Sequence, residues 1–368
     1  MEYLDSQSDL AQSLGHIQEL DGVRGLAALL VFFHHLCFTS ITVAGWGRLI
    51  EALSTVFHYG VVGVDIFFTL SGFLITSILL QDSQRPHYYH NFYWKRALRI
   101  LPLYIVCLLG VYGFIPAARS YVILAAFFMA NFAYAFHIVT AGPFWTLAIE
   151  EHFYLVWPTV VRRRSVEEIG RWALLITLGA IVLRVVAALF GHHNYAFTFF
   201  RCDGLALGAW LACRSRRPGG IAFLGCSRDR RCFVAVLSAA LLMLVLASKM
   251  STNGRGVAFG AALFQTAVVL LSASLVAVIV ACQGRKWLAV FRSPILTFFG
   301  LISYAVYMIH MYVMFVYDYY MGPLQTGSLS GYWTRLLTVL GATVLIALIS
   351  RYSLELPAMS LRRFVIRK

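Results

Sequence analysis

The chain is expected to fold as an all-α, polytopic transmembrane helical bundle of about 10–11 spans, and three observations carry that expectation. Hydrophobic residues fill 60% of the 368 positions and charged residues only 12%, about half the charged share of a soluble domain. Mean hydropathy is +0.76. Apolar runs recur along the whole sequence, each long enough to cross a hydrocarbon core of about 30 Å. The two-residue alternation of a transmembrane β-barrel is absent.

Residues 1–18 are polar, mildly acidic and without the apolar core of a signal peptide. They are expected to form a short cytoplasmic tail, with the first helix serving as its own uncleaved insertion signal. Spans are expected near 22–43, 61–80, 98–116, 119–137, 144–161, 169–190, 197–213, 232–249, 257–282, 295–317 and 332–354. Turn signals separate them: Asp82 to Pro86, Arg216 to Gly220, Asn253–Gly254 and Gly322–Pro323. No internal repeat or low-complexity tract is evident. One membrane domain is expected over 1–368, closing on a short basic tail at 356–368 that holds Arg362, Arg363, Arg367 and Lys368.

Net charge is +14. The plain reading is the excess of Lys and Arg in cytoplasmic loops of an inner or plasma membrane protein. The sharper reading adds a polyanionic ligand met from the cytoplasm. Nucleic acid is not expected as a partner, because the charges are spread over short loops. The seven cysteines (37, 107, 202, 213, 226, 232, 282) show no CxxC pair and no metal-ligand spacing, so no metal is expected.

The basic loops give a topology test. The loop 81–99 holds Arg85, Lys95, Arg96 and Arg99 and should be cytoplasmic, which puts the N-terminus inside. Arg162, Arg163 and Arg164 should be inside as well, yet three crossings between 99 and 162 would put them outside. One of those segments is therefore expected to be re-entrant or interfacial. Irregular backbone at membrane depth is tolerated only where it lines a protein-walled cavity.

Ionisable residues inside apolar spans are costly and so are functional candidates. In ELDGVRGLAALLVFFHHLCF (19–38), Arg24 and His35 are eleven residues apart, three helical turns plus about 20°, so they share a face with a rise of about 16 Å between them. His34 lies about 100° away and is read as a packing or orienting residue. In GVDIFFTLSGFLIT (63–76), Asp65 either opens a helix beside a packing notch at Ser71–Gly72 or pairs with Arg24 or His35. In NFYWKRALRILPLY (91–104), Arg96 and Arg99 lie three apart on one face, as a membrane anchor or as a phosphate clamp, since guanidinium forks suit phosphate. In PFWTLAIEEHFYLVWP (143–158), Glu150 and Glu151 interrupt an aromatic segment close after Trp145 and Thr146. An unpaired buried carboxylate is expensive, so at least one of the two should face a cation or a polar cavity. Further on, Arg201 and Asp203 could pair locally, and His310, closing ISYAVYMIH, reads as a cavity-lining or packing residue rather than a catalyst.

Taken in order, these pieces resemble the acyltransferase-3 family of integral membrane acyltransferases over essentially the full length. The matching stretches are LDGVRGLAALLVFFHH, GVDIFFTLSGFLIT, the Arg–x–x–Arg at 96 and 99, Trp–Thr–Leu–x–x–Glu at 145–150 with FYLVWP, RCDGLALGAWLA and ISYAVYMIH. The resemblance implies transfer of an acyl group, usually acetyl from acetyl-CoA, to a hydroxyl of a sugar in a surface or exported glycan. Arg24, His35 and Glu150 match the family's essential positions, and Arg96 and Arg99 its cytoplasmic arginine pair. The chain is expected to be the stand-alone form, without an extracytoplasmic esterase-like domain.

On that resemblance His35, Glu150 and Asp65 are the catalytic candidates, with His35 as general base or transient acyl carrier and either carboxylate as its orienter. Arg24, Arg96 and Arg99 are candidates for holding the acyl-CoA donor. Trp145, Thr146, Glu151 and His310 are candidates for the acceptor. The expected partners are acyl-CoA, a carbohydrate or glycoside acceptor and the lipid bilayer. Two other readings stay open: an acyltransferase for a small secondary metabolite or a lipid, and a polytopic transporter.

Overall fold

The computed structural model describes residues 17–38, 57, 59–192, 196–216, 227–250, 254–322 and 329–366. Most of the tail 1–18, the far end of the span expected at 22–43, most of the turn at 216–220, Cys226, Asn253, Pro323, Arg367 and Lys368 lie outside the described residues. Every long element described is a helix, as a chain with no water to satisfy its backbone in lipid requires. The α-helices are α1 Gln18–Phe38, α2 Val62–Asp82, α3 Tyr88–Phe114, α4 Arg119–Ala126, α5 Phe144–Arg163, α6 Val166–Leu189, α7 Thr198–Arg201, α8 Asp203–Ser215, α9 Ser227–Met250, α10 Gly254–Ala281, α11 Pro294–Met321, α12 Leu329–Ser350, α13 Leu356–Ser360 and α14 Arg362–Val365. Among the described residues, eight segments are long and apolar enough to cross a membrane.

That is fewer than the 10–11 spans expected, and three segments account for the difference. The span expected at 119–137 is split into α4 and a 3-10 helix, Ala130–Phe136. Phe128 and His137 take positive φ, 56° and 52°, a conformation that ends an α-helix rather than extending it. The eight residues of α4 rise only about 12 Å. Ala130, Asn131 and Ala133 are fully buried while Phe127, Tyr134 and Phe136 are exposed, so protein covers one side of this irregular stretch. The span expected at 197–213 is broken at Cys202 into α7 and α8, and α8 is about 20 Å long. The third, α5, has the length of a span, but Glu150, Glu151, His152, Arg162 and Arg163 make it too polar to be one by composition.

The chain divides into two compact units. The first comprises 1–21, 65–85 and 148–293. Within it α2 and α8 approach closely, and small residues make that possible. A Cβ on Gly72 would lie 1.9 Å from the Leu205 carbonyl oxygen, and one on Gly208 would lie 2.1 Å from that of Thr69. The Ser71–Gly72 interruption thus serves as a packing notch. Tyr154 hydrogen-bonds Ser71, and Trp157 Nε1 donates to Thr76 Oγ1 at 2.8 Å, so α5 is tied to α2. A capping box opens α6: Ser165 Oγ accepts from Glu168 N, and the Glu168 carboxylate accepts from Ser165 N.

The second unit comprises 22–64, 86–147 and 294–368. Here α1 packs on α11, where a Cβ on Gly25 would lie 1.9 Å from Leu296 O, and on the start of α2, where one on Gly63 would lie 2.4 Å from Ala27 O. Phe32, Leu36, Met314 and Val339 form the apolar contact between α1, α11 and α12. Arg335 makes a bidentate pair with Asp318, at 2.8 Å for each contact, and donates to Leu36 O at 3.0 Å. A five-residue π-helix, Arg351–Glu355, joins α12 to α13.

The close approach of α2 and α8 can be tested by substitution. Gly72→Ala and Gly208→Ala are each expected to lower stability by about 1–3 kcal/mol, the usual cost of overpacking. Gly179→Ala, whose Cβ would meet nothing within 4 Å, should leave it unchanged or slightly raised. Thermal unfolding in detergent reads both. Equal transition temperatures for Gly72→Ala and Gly179→Ala would contradict the contact.

Candidate active site

In the second unit, α1 and α11 each present a histidine, and the two rings meet. His310 Nε2 lies 3.1 Å from His35 Nδ1, and the ring centroids are 5.0 Å apart. Each Nδ1 also lies 3.0 Å from a backbone carbonyl one turn earlier, Val31 O for His35 and Val306 O for His310. His310 is 1% exposed. His34 meets His35 edge-on at 5.1 Å, as its offset around the helix requires. Arg24 is half-buried on α1, eleven residues before His35.

A second contact supports the histidine pair from α5. Thr146 Oγ1 donates to Pro143 O at 2.9 Å, so it accepts from the Tyr307 hydroxyl, also at 2.9 Å. Tyr307 precedes His310 by three positions, on the same face of α11. Sequence reasoning missed Tyr307; its signal is that spacing within SYAVYMIH. Trp145 is half-buried next to Thr146. On α3, Arg96 is half-buried with its guanidinium 6.0 Å from the Phe92 ring, and Arg99 is exposed one turn on. Tyr304 on α11 donates to Ile100 O at 2.8 Å, next to Arg99.

The first unit gathers a different set of polar residues. Asp65, 2% exposed, pairs with Arg201, 1% exposed, at 3.0 Å. Gln265 Nε2 donates to the same carboxylate at 2.7 Å. Asp203 pairs with Arg184 at 2.6 Å, and Arg184 also donates to Thr266 Oγ1 and Phe200 O. The local Arg201–Asp203 pairing that the sequence allowed is therefore exchanged for two longer-range pairs. Glu150 and Glu151 are half-buried on α5. Glu150 falls one helical turn after Thr146, and His152 Nδ1 lies 2.7 Å from Thr198 Oγ1. The structure thus joins His35 to His310 and places Asp65 with Arg201 and Gln265.

A family model for the acyltransferase domain matches residues 17–352. The chain belongs to the acyltransferase-3 family. A Staphylococcus aureus protein assigned by name as an O-acetyltransferase is 27% identical over 347 residues, covering 84% of this chain and 52% of that protein. The peptidoglycan O-acetyltransferase of Listeria monocytogenes is 31% identical over 163 residues, covering 39% of this chain and 24% of its own. The chain spans about half the length of the curated relatives it matches over most of its own length. No solved structure matches it. Membership in this family and the long apolar helices make the chain an integral membrane protein.

The setting of Asp65 has a direct test. Breaking a buried ion pair leaves one charge uncompensated, at a cost of about 3–5 kcal/mol, whereas replacing both partners by apolar residues is often neutral. Asp65→Ala should therefore sharply lower accumulation and unfolding temperature, and Asp65→Leu combined with Arg201→Leu should recover most of both. A single variant as stable as the parent protein would show that the pair carries no structural weight.

Proposed function

We propose that this acyltransferase-3 domain moves an acyl group, acetyl by preference, from acyl-CoA to a hydroxyl of a sugar in a surface or exported glycan. The observation that carries the reading is the histidine pair between two apolar helices of a family member, His310 buried and His35 half-buried. An imidazole held in that setting is a proton acceptor of the kind that acyl transfer to a hydroxyl requires. The names of the relatives, O-acetyltransferase and peptidoglycan O-acetyltransferase, support acetyl as the group and a glycan as the acceptor.

Arg96 and Arg99 supply the guanidinium groups for the phosphates of CoA, with Arg24 further along the donor's path. His35 takes the proton of the acceptor hydroxyl as its oxygen attacks the thioester carbonyl. The tetrahedral intermediate collapses, the C–S bond breaks, and the CoA sulfur leaves with the proton that His35 returns. The ester product and free CoA thiol balance the reaction. Trp145, Thr146, Glu150 and Glu151 are the positions on α5 from which an acceptor sugar could be bound.

The split at 119–137 supports a cytoplasmic N-terminus. With that segment out of the count, and α5 taken as a crossing by its length of 20 residues although its charges set it apart from the eight apolar segments, the chain between Arg99 and Arg162 crosses twice. Both basic loops then belong on the cytoplasmic side, together with the N-terminus.

Purified protein in liposomes, given acetyl-CoA and muropeptides or other envelope glycans, should release CoA thiol and form an O-acetyl ester, resolved by mass spectrometry. His35→Ala should reduce transfer at least about 100-fold while inserting and accumulating normally. Transfer by that variant within about three-fold of the parent protein would remove His35 from the chemistry. Uptake of solute with no ester formed would favour a transporter.

A further inference from the structure

We infer that His310 is a positioning residue that fixes the tautomer of His35 and shares the positive charge His35 gains on taking up a proton; this rests on the reading of His35 as the base. The argument is one of donors and acceptors. A carbonyl oxygen only accepts hydrogen bonds, and a neutral imidazole has one N–H and one lone pair. His310 Nδ1 lies 3.0 Å from Val306 O, so Nδ1 carries the proton of His310. The lone pair of His310 is then on Nε2, the atom 3.1 Å from His35 Nδ1. His35 Nδ1 in turn faces two acceptors, Val31 O at 3.0 Å and that lone pair. It must therefore carry the proton of His35. The lone pair of neutral His35 is left on Nε2, the nitrogen that can take a proton from a hydroxyl.

The arrangement does for His35 what a carboxylate does in a serine hydrolase triad, where holding the correct tautomer is a large part of the catalytic effect. It differs in charge. A carboxylate buried among apolar helices would be a standing charge with a large desolvation cost. His310 is neutral at rest. Only when the acceptor hydroxyl gives its proton to His35 Nε2 does a positive charge appear. The His35 Nδ1–H then points at the His310 lone pair, and the charge is shared across the 3.1 Å contact. The proton returns through His35 Nε2 to the CoA sulfur as the C–S bond breaks, and both rings regain their starting tautomers. An interaction that strengthens only when charge develops lowers the barrier without tightening the resting complex. The Tyr307–Thr146 hydrogen bond, one turn before His310, holds this face of α11 in place.

The test compares three substitutions at one position. In His310→Gln, the amide oxygen reaches about as far as Nε2 and can accept from His35 Nδ1–H. In His310→Asn, the amide reaches only the position of Nδ1. His310→Leu offers no acceptor. The inference expects kcat to fall at least about ten-fold in the Leu and Asn variants, with the KM for acetyl-CoA within about three-fold of the parent protein. The Gln variant should recover at least about ten-fold over Asn. Selective ¹⁵N-histidine labelling, with signals assigned by single substitutions, should show His35 protonated at Nδ1 in the parent protein and in the Gln variant, and a mixture of tautomers in the Asn variant. A kcat loss below ten-fold in both Leu and Asn variants overturns the inference, as does equal activity of Gln and Asn. If the Leu variant fails to accumulate, the Gln and Asn comparison decides. Activity retained in His35→Ala would instead fault the reading of His35 itself. A dead His35→Ala variant with no Gln–Asn difference faults only the positioning role of His310.

Discussion

The contact between His35 and His310 is the interaction on which the second unit's arrangement turns. His310 is buried and His35 half-buried between apolar helices, where an unmet polar group costs several kcal/mol. They meet that need in each other and in the carbonyls of Val31 and Val306. Such a contact requires α1 and α11 to lie close, and Gly25 permits it, since a Cβ there would run into Leu296 and Gly300 backbone. One residue beyond His35, Arg335 holds the carbonyl of Leu36 and is itself held by Asp318. The histidine is thus fixed by a ring on one helix and a guanidinium on the next.

The first unit solves a different electrostatic problem. Besides Glu19, which pairs with Arg292, its buried charges among the described residues are two aspartates and two arginines joined in ion pairs, Asp65 with Arg201 and Asp203 with Arg184. The set is neutral in sum, and Gln265 and Thr266 add hydrogen bonds from one helix, α10. A buried pair is not in itself a source of stability, because desolvation offsets the attraction. What it does supply is register: only one sliding position of α10 brings adjacent residues to Asp65 and Arg184 at once.

How far the sequence could be read follows from the range of each interaction. Helical periodicity is local, so the shared face of Arg24 and His35 and the Arg96–Arg99 pair were legible from spacing alone. The notch at Ser71–Gly72 was legible as a break in an apolar run, but not its partner, Leu205. The ion pairs were hidden for the same reason. Asp65 offered a plausible partner to every cation in the chain, and the one it takes, Arg201, lies far along the sequence, beyond four intervening helices. His310 looked like a lining residue because nothing near it in sequence suggests His35. The span count ran high where composition looked continuous but the backbone turned, at Phe128 and at Cys202.

The buried ion pairs and the histidine pair are therefore two different ways of handling polarity between helices, and the difference bears on chemistry. Fixed charges in cancelling pairs cannot change state without breaking a pair, so the Asp65–Arg201 network suits scaffolding. A neutral histidine pair can gain a charge without losing a contact, because His35 Nδ1–H already points at a lone pair. In an apolar surrounding, charge that is absent at rest and shared on arrival is the inexpensive kind. That favours proton transfer at His35 over fixed binding of an anion there.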